Sequence, residues 1–165
     1  MVGLGYLPGT TPFSSATDVS ADGSMVVGYS RTDLGVEAFL WNEAVGIKGL
    51  GELAGADYYS VAEAISGNGR TVVGYSRSGA VATGEAFIWD DENGMRSLMN
   101  VLISEYACDI PLGWTLTQAL DLSYDGRTIV GTGLNPYGQY EAWMVTLPAP
   151  VPAPEVQPDI GIRPE

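Results

Sequence analysis

The chain has 165 residues, 45% of them hydrophobic, so it is long enough to bury the core of one domain and is not disordered by composition. Its net charge of −13, with Lys48 as the only lysine, disfavours nucleic acid and anionic membranes as partners. The lack of histidine and the single cysteine, Cys108, exclude a Ser-His-Asp triad, a Cys-His dyad and an intrachain disulfide. No apolar run reaches the ~20 residues of a membrane-spanning helix, so we expect no membrane insertion.

Short apolar runs separated by glycine turns predict a first unit of four β-strands, named a to d. An Asp-Gly turn joins strands a and b, where glycine adopts positive φ without steric cost and the Asp side chain caps the turn. Pairs of β-branched residues favour the pleated conformation of strand b. In chain order the elements are strand a at Ala16–Ser20, the Asp22-Gly23 turn, strand b at Met25–Ser30, strand c from Glu37, and strand d with Leu50.

This unit recurs twice, and the turn glycines Gly23, Gly69 and Gly126 mark the three copies. The first two are 46 residues apart and the last two 57, mostly because residues are inserted between Trp89 and Ser123. Within the insertion, apolar residues at i, i+3 and i+4 spacing predict one short helix in Met95–Tyr106. The equivalent strands are Ala62–Ser66, Thr71–Ser76, one from Glu85 and one with Leu98, then Ala119–Ser123, Thr128–Gly133 and one from Glu141.

The third unit stops after strand c, at Leu147, and its missing strand d has a counterpart at the other end of the chain. Gly3–Leu7 matches the strand-d segment Gly49–Leu53, so the order is d, abcd, abcd, abc. We expect this assembly strand to complete the last sheet, either within the chain or in a neighbouring copy. The alternative is that the sequence was cut from a longer array. The proposed strand consists of Gly3, Leu4, Gly5, Tyr6 and Leu7.

A proline-rich tail, residues 148–165, follows the repeat domain of residues 1–147. Residues 151–162 contain apolar side chains, and we consider them a second possible donor strand whose prolines restrict it to edge pairing. No signal-peptide pattern is recognisable, so we expect the sequence to be that of a mature chain.

Four short strands in each ~46-residue unit predict an all-β fold of tandem, four-stranded antiparallel repeats arranged like a β-propeller. A β-trefoil is the alternative, because it also contains three four-stranded repeats. In a propeller each repeat forms its own sheet, whereas a trefoil shares one barrel among its repeats.

The unit resembles the extracellular HAF-type repeat across about residues 1–147. The shared motifs are the serine and Asp-Gly turn, the Val-Val-Gly-Tyr-Ser strand, the Gly-x-Glu-Ala-Phe-x-Trp strand and the Gly-Leu-Gly-x-Leu-x-Gly segment. The third copy departs from them, with Trp143 in place of phenylalanine and Val145 in place of tryptophan. The resemblance implies an extracellular or surface location and no known enzymatic activity, and it supplies no ligand.

Three carboxylates, Glu37, Glu85 and Glu141, recur at the start of strand c. They could line a channel and bind a cation such as calcium through oxygen ligands. The alternative is that each accepts hydrogen bonds from nearby backbone or from strand b. Apart from this calcium alternative we predict no cofactor.

Aromatic residues inside the repeat pattern are expected to pack in the core, whereas those outside it are candidates for stacking on a sugar. Clustering of the second group around a concave pocket would indicate glycan binding. This group consists of Tyr58, Tyr59, Trp114, Tyr137 and Tyr140.

These observations favour a non-enzymatic extracellular or surface protein that acts in structure and self-assembly, as a homo-oligomer or a filament formed by strand exchange. A glycan- or ligand-binding, lectin-like module is the alternative. A glycoside-acting enzyme ranks third, because the acidic residues follow the repeat and form no single asymmetric pair.

Overall fold

The fold is known from a computed structural model that describes residues 1–78 and 83–148. It is 51% strand and 5% helix. None of its helices within these ranges is long and apolar enough to cross a membrane. The elements are β1 Ser14–Val19, β2 Met25–Arg31, β3 Val36–Asn42, β4 Gly46–Gly51, β5 Ala56–Ile65, β6 Val72–Ser78, β7 Glu85–Asp90, β8 Gly94–Ser97, α1 Leu98–Ser104, β9 Thr115–Leu122, β10 Thr128–Leu134 and β11 Tyr140–Thr146.

Consecutive strands pair antiparallel within each repeat, which confirms the all-β, antiparallel prediction. Repeat 1 is β1–β4, repeat 2 is β5–β8 and repeat 3 is β9–β11. A single parallel bridge, between Val36 and Tyr59, links the sheets of repeats 1 and 2. Within the described ranges the strands close no barrel of the kind that a trefoil requires.

Strand b requires a glycine at the same position in every repeat, and the steric reason is the same each time. The pairing of strands a and b skips one residue, Thr17, Glu63 or Leu120, so strand a contains a β-bulge at this level. Next to this bulge a carbonyl of strand a approaches the glycine of strand b closely. A Cβ on Gly74, for example, would lie 2.0 Å from the Val61 carbonyl oxygen. The equivalent glycines, Gly28 and Gly131, approach strand a as closely.

The predicted turn between strands a and b is present in each repeat and is held by a serine–Asx pair. The Ser20 hydroxyl donates a 2.7 Å hydrogen bond to Asp22 and accepts one from the Met25 N–H at 3.0 Å. Ser66 with Asn68, and Ser123 with Asp125, repeat this arrangement. Side chains that hydrogen-bond their own backbone stabilise such turns locally.

The helix is shorter than the predicted Met95–Tyr106. Strand β8 takes residues 94–97, and Ser97 then caps α1 by accepting the Asn100 N–H at 3.4 Å. Repeat 2 therefore changes from strand to helix where repeat 1 continues as strand β4.

The predicted strand at Gly3–Leu7 is not a strand in the single chain, and completion of the third sheet within one chain is wrong for the described residues. That segment lies against repeat 1 and pairs with no strand. The sheet of repeat 3 has three strands, β9–β11. Residues 149–165, with the proposed second donor strand at 151–162, lie outside the described residues.

Candidate assembly interface

Repeats 1 and 2 bury an apolar interface built from equivalent positions. We define the forward face of a repeat as the side that packs on the following repeat, and the rear face as the side that packs on the preceding one. Both contribute to one hydrophobic cluster. The forward face of repeat 1 is Val27, Ala38 and Leu40, and the rear face of repeat 2 is Ala62, Ile65, Val72, Phe87 and Trp89.

Repeats 2 and 3 pack in the same way in a second cluster, which α1 extends through Leu98, Val101 and Leu102. The aromatic repeat positions Phe87 and Trp89 thus serve core packing. The forward face of repeat 2 is Val73, Ala86 and Ile88, and the rear face of repeat 3 is Ala119, Leu122, Ile129, Trp143 and Val145.

Backbone hydrogen bonds join successive repeats at the turns after strand a. The Ala21 N–H donates to the Gly67 carbonyl at 3.1 Å, and the Gly67 N–H donates to the Tyr124 carbonyl at 2.9 Å. These three residues are equivalent in the repeats, so the bonds form a ladder that runs from unit to unit. Asp18 adds a contact, because its Oδ2 accepts the Ile65 N–H at 2.8 Å.

The N-terminal segment binds repeat 1 as the end of strand d binds repeat 2. The Leu7 N–H donates to the Ser30 hydroxyl at 2.9 Å, and the Ser14 hydroxyl donates to the Gly5 carbonyl at 2.7 Å. One repeat later, the Leu53 N–H donates to Ser76, and the Ser60 hydroxyl donates to Gly51. Residues 3–7 therefore behave as strand d of a repeat that would precede repeat 1.

The two ends of the array expose the faces that are buried inside it. On the forward face of repeat 3, Val130 is 38% exposed and Met144 71%, whereas Val27 and Ile88 at these positions are 0% and 5% exposed. On the rear face of repeat 1, Val19 is 50% exposed, whereas the equivalent Ile65 is 5% exposed. The outer edge of β11 also has no neighbouring strand in the described part of the chain, which leaves ladder groups unpaired.

The recurrent glutamates have different partners and do not converge. The Glu37 Oε1 accepts the Gly51 N–H at 3.1 Å, and the Glu141 Oε2 accepts the Asn135 side-chain amide at 2.9 Å. Glu85 lines a separate cleft beside α1. Within residues 1–78 and 83–148, no three acidic, cysteine or histidine side chains lie close enough together to hold a metal ion.

A cleft of about 260 Å³ beside Tyr58 contains a pair of carboxylates that we did not identify from the sequence. Glu37 and Glu52 both line it. Burial, and then the charge of Glu37, raise the pKa of Glu52. Glycoside hydrolases use a carboxylic acid of raised pKa beside a second carboxylate. Here, however, the Glu37 carboxylate accepts a hydrogen bond from the backbone of strand β4.

The proposed sugar-stacking aromatics are distributed over the molecule. Tyr58 lines the acidic cleft, while Tyr59 packs 6.1 Å from Tyr75 with the Arg77 guanidinium over its ring. Tyr137 and Tyr140 are 87% and 65% exposed.

Trp114 lines a second cleft, of about 340 Å³, together with Trp143. The indole nitrogen of Trp143 is buried and has no hydrogen-bond partner within the described ranges.

The chain matches no known family profile and no curated protein sequence. Its fold is similar to that of TolB from Acinetobacter baumannii, with a TM-score of 0.57 and 17% identity over 83% of this chain and 31% of that one. A proposed TolB from Agrobacterium tumefaciens gives a TM-score of 0.49 and 12% identity over 86% of this chain and 51% of that one. The chain thus spans between about a third and a half of these proteins. The first similarity shows the β-rich fold alone.

Proposed function

We propose that this chain is a non-enzymatic extracellular or surface protein that acts by self-assembly, its three sheets being successive blades of a β-propeller-like array. The similarity to the propeller-type TolB fold supports this architecture. The HAF-type resemblance of the repeat motifs supports the location.

One observation carries the assembly function. Residues 3–7 bind repeat 1 in the way that the end of strand β4 binds repeat 2, while β11 has an open edge in the described chain. An extended segment that adds to an exposed edge gains a full set of backbone hydrogen bonds. The N-terminal strand of one copy is therefore the natural partner of β11 in another. The net charge of −13 repels copies, so association should strengthen with ionic strength.

Light scattering at several concentrations and salt levels tests this proposal. We expect the full chain to exceed the 17.4 kDa of a single copy. Removal of residues 1–4 should return it to the single-chain mass, because it takes away residues that would pair with β11. The fold itself should be kept, since the bonds of Gly5 and Leu7 to repeat 1 remain. Removal of residues 151–165, which takes away the second possible donor strand, is the matched comparison: an oligomer that survives this deletion but not the first identifies the N-terminal strand as the donor. A single-chain mass at every concentration and salt level would exclude self-assembly.

Glycan binding is a second candidate, and the Trp114–Trp143 cleft is the observation that favours it. Two tryptophans line this cleft, and indole rings offer apolar surfaces on which a sugar ring can stack. A glycan array should then give hits that Trp114→Ala abolishes and that Tyr137→Ala, on an exposed turn, retains. An array without hits would exclude this function.

A further inference from the structure

The ladder of turn hydrogen bonds is incomplete at both ends in complementary ways. Ala21 donates to Gly67, and Gly67 donates to Tyr124. Within the described ranges, no backbone bond uses the Tyr124 N–H or the Ala21 carbonyl oxygen. One end of the array therefore offers the donor and the other the acceptor of the next rung.

The exposed forward face of repeat 3 and the exposed rear face of repeat 1 are also complementary, because their equivalents pack on each other inside the array. Val130, Ala142 and Met144 occupy the positions whose equivalents in repeats 1 and 2 pack on a rear face. The rear face of repeat 1 presents the exposed Val19 and the half-buried Trp41, at the positions of the buried Ile65 and Trp89. The two inner interfaces show how such faces pack together.

The N-terminal segment is a third complementary feature, and its equivalence to strand β4 fixes the residues with which it would pair in β11. In repeat 1, Ala38 pairs with Gly51, and Leu40 pairs with Lys48 across β3 and β4. The equivalent positions in β11 are Ala142 and Met144, and those in the N-terminal segment are Gly5 and Val2.

Glutamate positions agree with this register. The Glu37 carboxylate accepts the N–H of Gly51 in repeat 1. Its equivalent, Glu141, would lie at the N–H of an incoming Gly5. Since Gly5 and Leu7 are already anchored to repeat 1 of their own chain, strand and rear face arrive as one rigid body.

We propose that repeat 3 of one copy binds repeat 1 of a second copy as repeat 1 binds repeat 2 within the chain, forward face against rear face. Three contacts form together: Val2–Gly5 of the second copy pairs with β11, its rear face covers Val130 and Met144, and its Ala21 carbonyl accepts the Tyr124 N–H. This rests on the proposed self-assembly and specifies its geometry. The contact is head-to-tail, so it gives a ring where the rotation closes and a filament where it does not.

Disulfide trapping between two single-cysteine chains tests the register. Both chains carry Cys108→Ala, one carries Val2→Cys and the other Met144→Cys. These positions correspond to the paired Leu40 and Lys48, so mild oxidation should give a mixed disulfide dimer. The control pairs Val2→Cys with Tyr140→Cys, roughly 13 Å further along β11, and should give little dimer.

A surface substitution tests the face independently of the strand. Val130→Asp should weaken association at least ten-fold, because it places an unpaired carboxylate in the buried contact. The same change at the exposed Tyr137 adds the same charge outside the contact and should have a small effect. An oligomer that shows no preference for the Val2–Met144 disulfide, or that tolerates Val130→Asp, would overturn this geometry while leaving self-assembly intact. A chain that never associates would overturn both.

Discussion

The backbone N–H of Gly67 donates to the carbonyl oxygen of Tyr124, and the Tyr124 ring fills the space where a Cβ of Gly67 would stand. That Cβ would lie 2.2 Å from the ring Cδ2, far inside contact distance. Two residues 57 positions apart thus lock the turns of repeats 2 and 3 together.

Gly67→Ala should therefore destabilise the protein by about 1 kcal/mol, the low end of the cost of an extra methyl group, because the exposed Tyr124 ring can rotate partly away. Urea denaturation measures this difference in the free energy of unfolding. Tyr124→Ala alone should cost less, because Tyr124 is 72% exposed.

The double variant Gly67→Ala with Tyr124→Ala is the control, since it removes the clashing ring. We expect it to be more stable than Gly67→Ala, which is a coupling between the two sites. Additive effects of the two substitutions would contradict the close approach of ring and glycine.

The elements that the sequence predicts well are those with local causes. Asp22, Asn68 and Asp125 sit in turns fixed by side chains two residues away, and the valine pairs of strand b favour strands wherever they occur. The helix was predicted too long because Met95 pairs with Trp89 across β7 and β8. Strand pairing of this kind stabilises the extended conformation at residues 94–97, although Met95 and the apolar residues that follow have the spacing of a helix.

Features that depend on several repeats could not be predicted. Glu37 and Glu52 line one cleft because β3 and the end of β4 lie side by side. Leu7 binds repeat 1 because Ser30 presents a hydroxyl there. In both cases the sequence shows the residues and their recurrence but not their partners.

The strand-b glycines are predicted to be irreplaceable. Gly74→Ala should lower stability by more than about 2 kcal/mol, because its Cβ would collide with the Val61 carbonyl and the Phe87 ring, neither of which can move freely. Thermal unfolding followed by circular dichroism measures the loss. Gly3→Ala is the matched control, since nothing lies within 4 Å of its Cβ. Equal shifts in Tm would show that the Val61 carbonyl is not close to Gly74.

The aspartates of the turns should make stability sensitive to acid. Hydrogen bonds from the Ser24 N–H and from the hydroxyls of Ser20 and Ser24 lower the pKa of Asp22 to about 2. Bonds from the Ser123 hydroxyl and the Arg127 N–H lower the pKa of Asp125. A carboxyl whose pKa is lower in the folded than in the unfolded state stabilises the fold above the unfolded value of about 3.9. This contribution is lost as pH falls through the folded pKa.

Asn68 shows how to test this, because it holds the same turn without titrating. The variant Asp22→Asn with Asp125→Asn should be less stable than the parent at pH 7, because it lacks the contribution of the two carboxylates, and should lose less stability between pH 4 and pH 2. Asp109→Asn, at an exposed position, should keep the parent's acid profile. Identical acid profiles for parent and double variant, measured by chemical denaturation, would contradict this role of the turn aspartates.

Glu63 should have the opposite effect on the pH dependence. It lies at the bulge of β5, and burial raises the pKa of its carboxyl. For a raised pKa the protonated form is favoured in the folded state, so this stability is complete below the unfolded value of about 4.3 and is lost as pH rises through the folded pKa. Glu63→Gln should therefore raise Tm at pH 7 and leave it unchanged near pH 3. Glu92→Gln removes the same charge from an exposed turn and should raise Tm less. Equal gains from the two substitutions at pH 7 would mean that net charge, and not burial of Glu63, sets the effect.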